Sequence, residues 1–171
     1  MVLTKIVSGG QSGVDRGALD AALVAGFECG GWCPADRGAE DGEIPERYPL
    51  TPLPDAIISE GSEAGATREV AERYRARTLK NVQDSDATVI LYSSTLSGGS
   101  LLTQKLCVRE KKPVIALDAQ AMTKLRAAER IGQFVEEHGI GVLNVAGPRL
   151  SGWPGGYSFA LGVLSAVISN L

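Results

Sequence analysis

The chain has 171 residues and 17.9 kDa, the size of one ordinary domain, and its 44% hydrophobic and 22% charged residues exclude a disordered or collagen-like polymer. Seventeen basic against twenty acidic side chains leave a net charge of -3 and a pI near 5.2, which argues against a nucleic-acid partner. The start resembles no leader and no apolar run approaches the roughly 18 residues of a membrane span, so the expectation is a cytoplasmic protein with no membrane partner.

Lys5 to Ser8 reads as a short buried strand, and Gly9-Gly10-Gln11-Ser12-Gly13 turns from it into a helix over 14–25 with Leu19, Ala22 and Leu23 facing inward. A second strand is expected over 27–32. Residues 34–45 lack periodicity, and prolines at 45, 49, 52 and 54 keep the chain irregular up to Asp55, so this stretch reads as a long loop. Val70, Ala71, Tyr74, Thr78 and Val82 then recur near every fourth residue, which predicts an amphipathic helix over 67–83. Ala87 to Tyr92 is the clearest buried strand, and Ser97-Gly98-Gly99-Ser100 leads from it into a helix over 101–111. A strand over 113–117 follows, then a helical stripe of Met122, Leu125, Ala128, Ile131, Phe134, Val135 and His138. The last strand covers 141–145, a third glycine-bearing loop covers 146–155, and an apolar helix covers 157–171. Strands alternating with helices predict an α/β fold: a three-layer, Rossmann-like domain over 1–171, its mostly parallel sheet covered by helices on both faces.

In such a sheet ligands bind beyond the carboxyl ends of the strands. The first glycine turn can aim backbone N–H groups and the positive end of a helix dipole at an anion, although Gly-Gly-x-x-Gly is neither the dinucleotide fingerprint nor the P-loop. The alternative is a tight turn that binds nothing. Gly98-Gly99-Ser100, with Thr103 one turn on, repeats the geometry with two hydroxyls. Valine at Gly10 or Gly99 is therefore expected to abolish anion binding and leave the fold largely intact. Arg16, Arg37, Arg77, Lys80 and Arg149 can complete an anion pocket, while Arg68, Arg73 and Arg75 read as a solvated helix face. Arg77-Thr78 and Asn81 stand near a helix end, where Asp84 and Asp86 would cap the turn or orient them.

Other chemistries find little material. His138 is the only histidine, which leaves no triad or paired-His metal centre, and it reads as a cap on its helix end. Cys29, Cys33 and Cys107 are odd in number, and their spacing suits neither a redox motif nor zinc, so three free thiols and no metal site are expected. Asp36, Glu40, Asp41, Glu43 and Glu46 read as a solvated acidic loop.

Four ordered stretches carry a resemblance. They are Gly9-Gly10-Gln11-Ser12-Gly13-Val14-Asp15-Arg16; Gly31-Trp32-Cys33-Pro34 with Arg37-Gly38-Ala39-Glu40-Asp41-Gly42 and Ile44-Pro45; Arg77-Thr78 with Asn81-Val82 and Asp84-Ser85-Asp86-Ala87-Thr88; and Gly98-Gly99-Ser100 with Thr103. From about residue 5 to about 118 the chain thereby resembles the molybdenum cofactor carrier family, a Rossmann-like branch related to the lysine-decarboxylase-like phosphoribohydrolases. The resemblance implies a pocket that stores or passes on the molybdenum cofactor (molybdopterin), or molybdate, without transforming it. It implies cargo binding by Gly9, Gly10, Gln11, Ser12, Gly13, Asp15, Arg16, Trp32, Arg77, Thr78, Asn81, Gly98, Gly99, Ser100 and Thr103, with Trp32 or the long loop covering the pterin. The phosphoribohydrolase relatives carry Pro-Gly-Gly-x-Gly-Thr-x-x-Glu, whereas Ser97-Gly98-Gly99-Ser100-Leu101-Leu102-Thr103-Gln104 lacks the third glycine and the glutamate. Three functions follow: a carrier for a small anionic ligand, a nucleotide-derivative sensor, and an enzyme acting on nucleoside monophosphates with Asp15 or a loop carboxylate as base. The resemblance leaves the 147–155 loop unassigned, and implies self-association and a molybdoenzyme as acceptor.

Overall fold

The computed structural model describes residues 3–54 and 66–171. Asp55 and the side chains of Arg68 and Glu69 lie outside the described residues. The elements in chain order are β1 (Lys5–Val7), α1 (Val14–Val24), β2 (Glu28–Gly30), β3 (Trp32–Cys33), β4 (Gly38–Ala39), β5 (Gly42–Glu43) and β6 (Thr51–Pro52). They continue with α2 (Ala66–Gln83), β7 (Ala87–Tyr92), α3 (Gly98–Arg109), β8 (Val114–Asp118), α4 (Lys124–His138), β9 (Val142–Ala146) and α5 (Gly156–Ser169).

Five strands form an all-parallel central sheet in the order β2-β1-β9-β7-β8. The last strand thus lies in the middle, with Lys5 opposite Val142 on one side and Ala87 opposite Leu143 on the other. Counted from β9 instead of from the amino terminus, the order becomes the 3-2-1-4-5 arrangement of doubly wound sheets, whose ligand crevice opens where the winding reverses. That reversal falls between β9 and β7.

Helices α1, α4 and α5 cover one face, where Val14, Ala18, Ile131, Phe134, Ala160 and Leu164 pack on Ile6, Val89, Leu91, Leu143 and Val145. Helices α2 and α3 cover the other through Val82, Leu106 and Cys107. This is the expected three-layer α/β architecture. Helix α1 approaches α5 so closely that a Cβ on Gly17 would lie 2.4 Å from the Tyr157 carbonyl oxygen, which explains a glycine inside an Ala-rich helix.

Several local expectations change. Leu23 and Leu125 point to solvent, at 38% and 63% exposure, because the close α1–α5 contact is made by small residues and α4 buries Ala127 and Ala128 instead. The strand expected over 27–32 breaks at Gly31, whose φ of 132° is barred to other residues and whose Cβ would meet the Ser8 carbonyl at 2.2 Å. Beyond it, β3 leaves the main sheet and pairs in parallel with β6, and β4 and β5 form a small hairpin. The expected loop therefore carries structure of its own. Arg37 organises it by donating to the carbonyls of Ile44, Pro45, Tyr48 and Leu50, so it is no part of an anion pocket. Helix α3 begins at Gly98, three residues earlier than expected. His138 lies edge-on to Phe134, at 4.8 Å between centroids, while Gly139 in the left-handed conformation caps α4.

Candidate ligand-binding cleft

A cleft of about 540 Å³ opens at the carboxyl ends of β1, β9 and β7, over the reversal of the sheet. Its floor carries Asn144, Val145 and Ala146 from β9 and Gly9 after β1. One wall is α2, with Tyr74, Arg77, Thr78 and Asn81. The second is the loop after β7 and the start of α3, with Ser93, Thr95, Ser97, Gly98, Gly99, Ser100 and Thr103. The third is the loop after β9, with Pro148, Arg149, Gly152 and Trp153. Ten of the fifteen expected residues thus line one cavity: Gly9, Gln11, Asp15, Arg77, Thr78, Asn81, Gly98, Gly99, Ser100 and Thr103.

The second glycine turn is the open one. The first amides of a helix lack intrahelical partners, and here Ser97 makes no side-chain capping bond and the first turn holds no acid. A Cβ on Gly98 or Gly99 would meet nothing among the described residues within 4 Å. Ser100 is 5% exposed, and the Thr103 hydroxyl donates back to the Gly99 carbonyl at 2.9 Å.

The first turn is closed by the chain itself. The Gln11 amide donates to Asp15 Oδ2 at 3.2 Å, the Ser12 amide to Gln11 Oε1 at 3.0 Å, and the Val14 amide to the Pro148 carbonyl at 3.4 Å. Gly13 is covered by residues 148–150, at under 3.0 Å from where its Cβ would be. Gly10 points the other way, into the cluster of Ile44 and Leu50. With φ of 78° and a would-be Cβ 2.3 Å from Leu50 Cδ1, it is required by packing, so valine there would damage the fold that it was expected to spare.

Five expected residues lie away from the cleft. Besides Gly10 and Gly13, Arg16 forms a two-bond pair with Asp41 and donates to the Gly10 carbonyl, and Ser12 faces Glu40. Trp32 is held at the far end of α2, its indole donating to Asp84 Oδ2 at 2.8 Å beneath the Lys80 ammonium, so it does not cover the cavity. Asn81 spends its amide on the Trp32 backbone, accepting at 2.8 Å and donating at 3.0 Å, and Thr78 donates to the Tyr74 carbonyl. Asp86 neither caps nor orients the α2 donors: it accepts the Gly141 and Val142 amides at 2.9 and 2.8 Å and anchors β9.

The charge in the cleft is a buried pair. Arg77 lies on Gly9, where no Cβ would fit, and donates to Asp15 Oδ2 at 3.2 Å; the side chains are 14% and 5% exposed. Burial raises the Asp15 pKa against the opposing pull of the Arg77 charge and the Gln11 amide. Arg77 Nε, also buried, has no hydrogen-bond partner among the described residues.

Sequence reasoning missed Tyr74, Ser93, Thr95, Ser97, Asn144 and Trp153; Arg75, exposed as expected, also reaches the rim. The Ser93-Ser94-Thr95 run directly after the strongest strand was a usable signal. So was the 147–155 loop, which leaves a strand and opens a helix as the other two turns do.

Residues 6–168 match the family described as the Circularly permutated YpsA SLOG family, and the strand order counted from β9 agrees with a permuted chain. The chain belongs to this family. The match reaches past residue 118 and takes in the third loop and α5. The chain is also similar to the crystal structure of a protein named "Putative molybdenum carrier protein" from Syntrophus aciditrophicus SB, at 38% identity and a TM-score of 0.84, over 97% of this chain and 95% of that one. No curated protein matches. No helix among the described residues is long and apolar enough to cross a membrane.

Proposed function

We propose that this cleft holds a small oxyanionic cargo, the molybdenum cofactor or molybdate, and passes it on unchanged. The observation that carries the reading is the start of α3, where Ser97 makes no capping bond and Gly98 and Gly99 line the cavity with nothing among the described residues within 4 Å of where a Cβ would be. Backbone donors at a helix N-terminus favour an anion by roughly 0.3–1 kcal/mol for the dipole alone, more where water is excluded. Arg77 supplies a cation on the opposite wall, and the hydroxyls of Ser93, Thr95, Ser97 and Ser100 add donors for further oxygens. Tyr74 and Trp153, on different walls, offer flat apolar surface for a pterin ring. The name borne by the similar crystal structure supports molybdenum-containing cargo.

Asp15 favours the enzymatic alternative, since it is a carboxylate in the cleft wall whose burial pushes its pKa up. Against it, Asp15 is tied to Arg77 and the Gln11 amide, and no acid follows the second glycine turn until Glu110, whereas the hydrolases carry a glutamate six residues after their second glycine. Titration with molybdate, with the isolated cofactor and with AMP separates the readings. Binding of the first two without product supports the carrier. Release of adenine supports a hydrolase, and tight AMP binding without turnover supports a sensor. The carrier reading further has the protein act as one domain in the cytoplasm, as a homo-oligomer that delivers to a molybdoenzyme. Light scattering and a transfer assay to an apo-molybdoenzyme test those parts.

A further inference from the structure

The loop that forms the third wall of the cleft is fastened from outside the cleft. The β4–β5 hairpin brings the Glu40 carboxylate over the first glycine turn, where four donors converge on it. Ser12 Oγ donates to Oε1, the Ser151 amide donates to Oε1 at 3.0 Å, Ser151 Oγ donates to Oε2, and Arg149 Nε lies 3.5 Å from Oε2. A second layer completes the set: the Leu150 amide donates to Ser12 Oγ at 3.1 Å, and the amides of Glu40 and Ser12 share Gln11 Oε1 at 2.9 and 3.0 Å. Asp41 grips Arg16 in two bonds and fixes the hairpin from its other side.

We propose that Glu40 is the built-in occupant of an oxyanion site at the first glycine turn. By filling it, Glu40 positions the Pro148–Trp153 wall and leaves the α3 turn as the place for the cargo's anion. The last clause rests on the carrier reading; the occupancy does not. The donor set is what a free carboxylate or phosphate would seek, with two hydroxyls, an amide and a guanidinium around one anion. The Ser12 hydroxyl accepts from the Leu150 amide and donates its own hydrogen to Glu40 Oε1, which also accepts the Ser151 amide. The donors act accordingly, the Ser12 and Ser151 hydroxyls foremost, in holding the Glu40 pKa down to about 2. Arg149, Gly152 and Trp153 meanwhile line the cleft, so loosening this latch frees one of its walls. Removing the carboxylate would strand every donor at once, and a small carboxylate from solution could replace it.

The test uses the full chain with Glu40→Ala and, as a milder lesion at an exposed position, Ser151→Ala. Hydrogen exchange is followed at the Leu150 and Ser151 amides, with and without millimolar formate or acetate. Exchange in E40A should rise about tenfold or more over wild type, S151A should rise less, and formate should slow E40A again while leaving wild type unchanged. Molybdate affinity should fall and recover in step. Unchanged exchange in both variants overturns the proposal. Faster exchange without any response to formate or acetate also overturns it, since Glu40 would then be a packing piece and not an anion in an anion site. If wild type binds no molybdate, the carrier reading fails while exchange and rescue still decide the occupancy of the first turn.

Discussion

The two glycine turns look alike in sequence and do opposite work. Each follows a central strand and opens a helix, and each carries adjacent glycines and a serine. At the first, Gly10 serves a turn backed by Ile44 and Leu50, and the donors around it are met by Asp15, Gln11, Pro148 and Glu40. At the second, nothing among the described residues lies within 4 Å of where a Cβ on Gly98 or Gly99 would be, and Ser97 makes no capping bond. The difference lies in what the rest of the chain brings. The hairpin and the loop after β9 converge on α1, whereas the start of α3 faces the gap above the reversal of the sheet. A glycine turn is thus open to a ligand only where the rest of the chain leaves it unfilled.

Removing countercharge beneath the first turn should have the largest effect. Asp15→Ala leaves Arg77 buried without its partner and should cost about 3 kcal/mol or more of stability in chemical denaturation. Gly10→Val should come next, at roughly 2 to 5 kcal/mol, from the left-handed backbone and the clash with Leu50. Gly99→Val at the second turn should cost less than about 1 kcal/mol, yet lower molybdate affinity at least about tenfold in calorimetry because its side chain enters the anion's place. Equal stability of the Gly10 and Gly99 variants would break the contrast between the turns.

The smallest effect is a pH dependence, and its sign differs between the two carboxylates of the first turn. The Glu40 pKa is lowered from 4.5 to about 2, so its contribution is full above 4.5 and fades as pH falls toward 2; the stability gap between wild type and Glu40→Gln should close across that window. The Asp15 pKa is raised above 3.8, so its contribution is full below 3.8 and is lost as pH rises through the folded value. Asp15→Asn should therefore look worst relative to wild type at the acid end. Matching profiles for the two variants would show that both carboxylates share one environment.

Much of this was legible along the chain. Hydrophobic periodicity located the strands of the central sheet and helices α1 to α5, because burial on a sheet face or along a helix stripe imposes a local spacing that residue types must obey. The stripe on α2 misled in part, since Ala71, Tyr74 and Thr78 keep helical spacing yet face a cavity, and spacing alone does not distinguish core from cleft. The turn glycines and the family resemblance brought ten of fifteen expected residues to one cavity, because strand ends in a parallel sheet converge whatever the pairing. Glu40 was read as solvated: its partners Ser12 and Ser151 lie 28 and 111 residues away, beyond any local pattern.

By itself, then, the order and spacing of residues determined the layers, the position of the turns and the kinds of groups at their tips. Only the tertiary structure decided that β9 returns to the centre of the sheet, that Gly31 ends a strand against the Ser8 carbonyl, and which of two similar turns is free. Those outcomes depend on contacts between distant segments, where a would-be Cβ or a carboxylate from elsewhere either occupies a space or does not, and that occupancy is written in three dimensions and not along the chain.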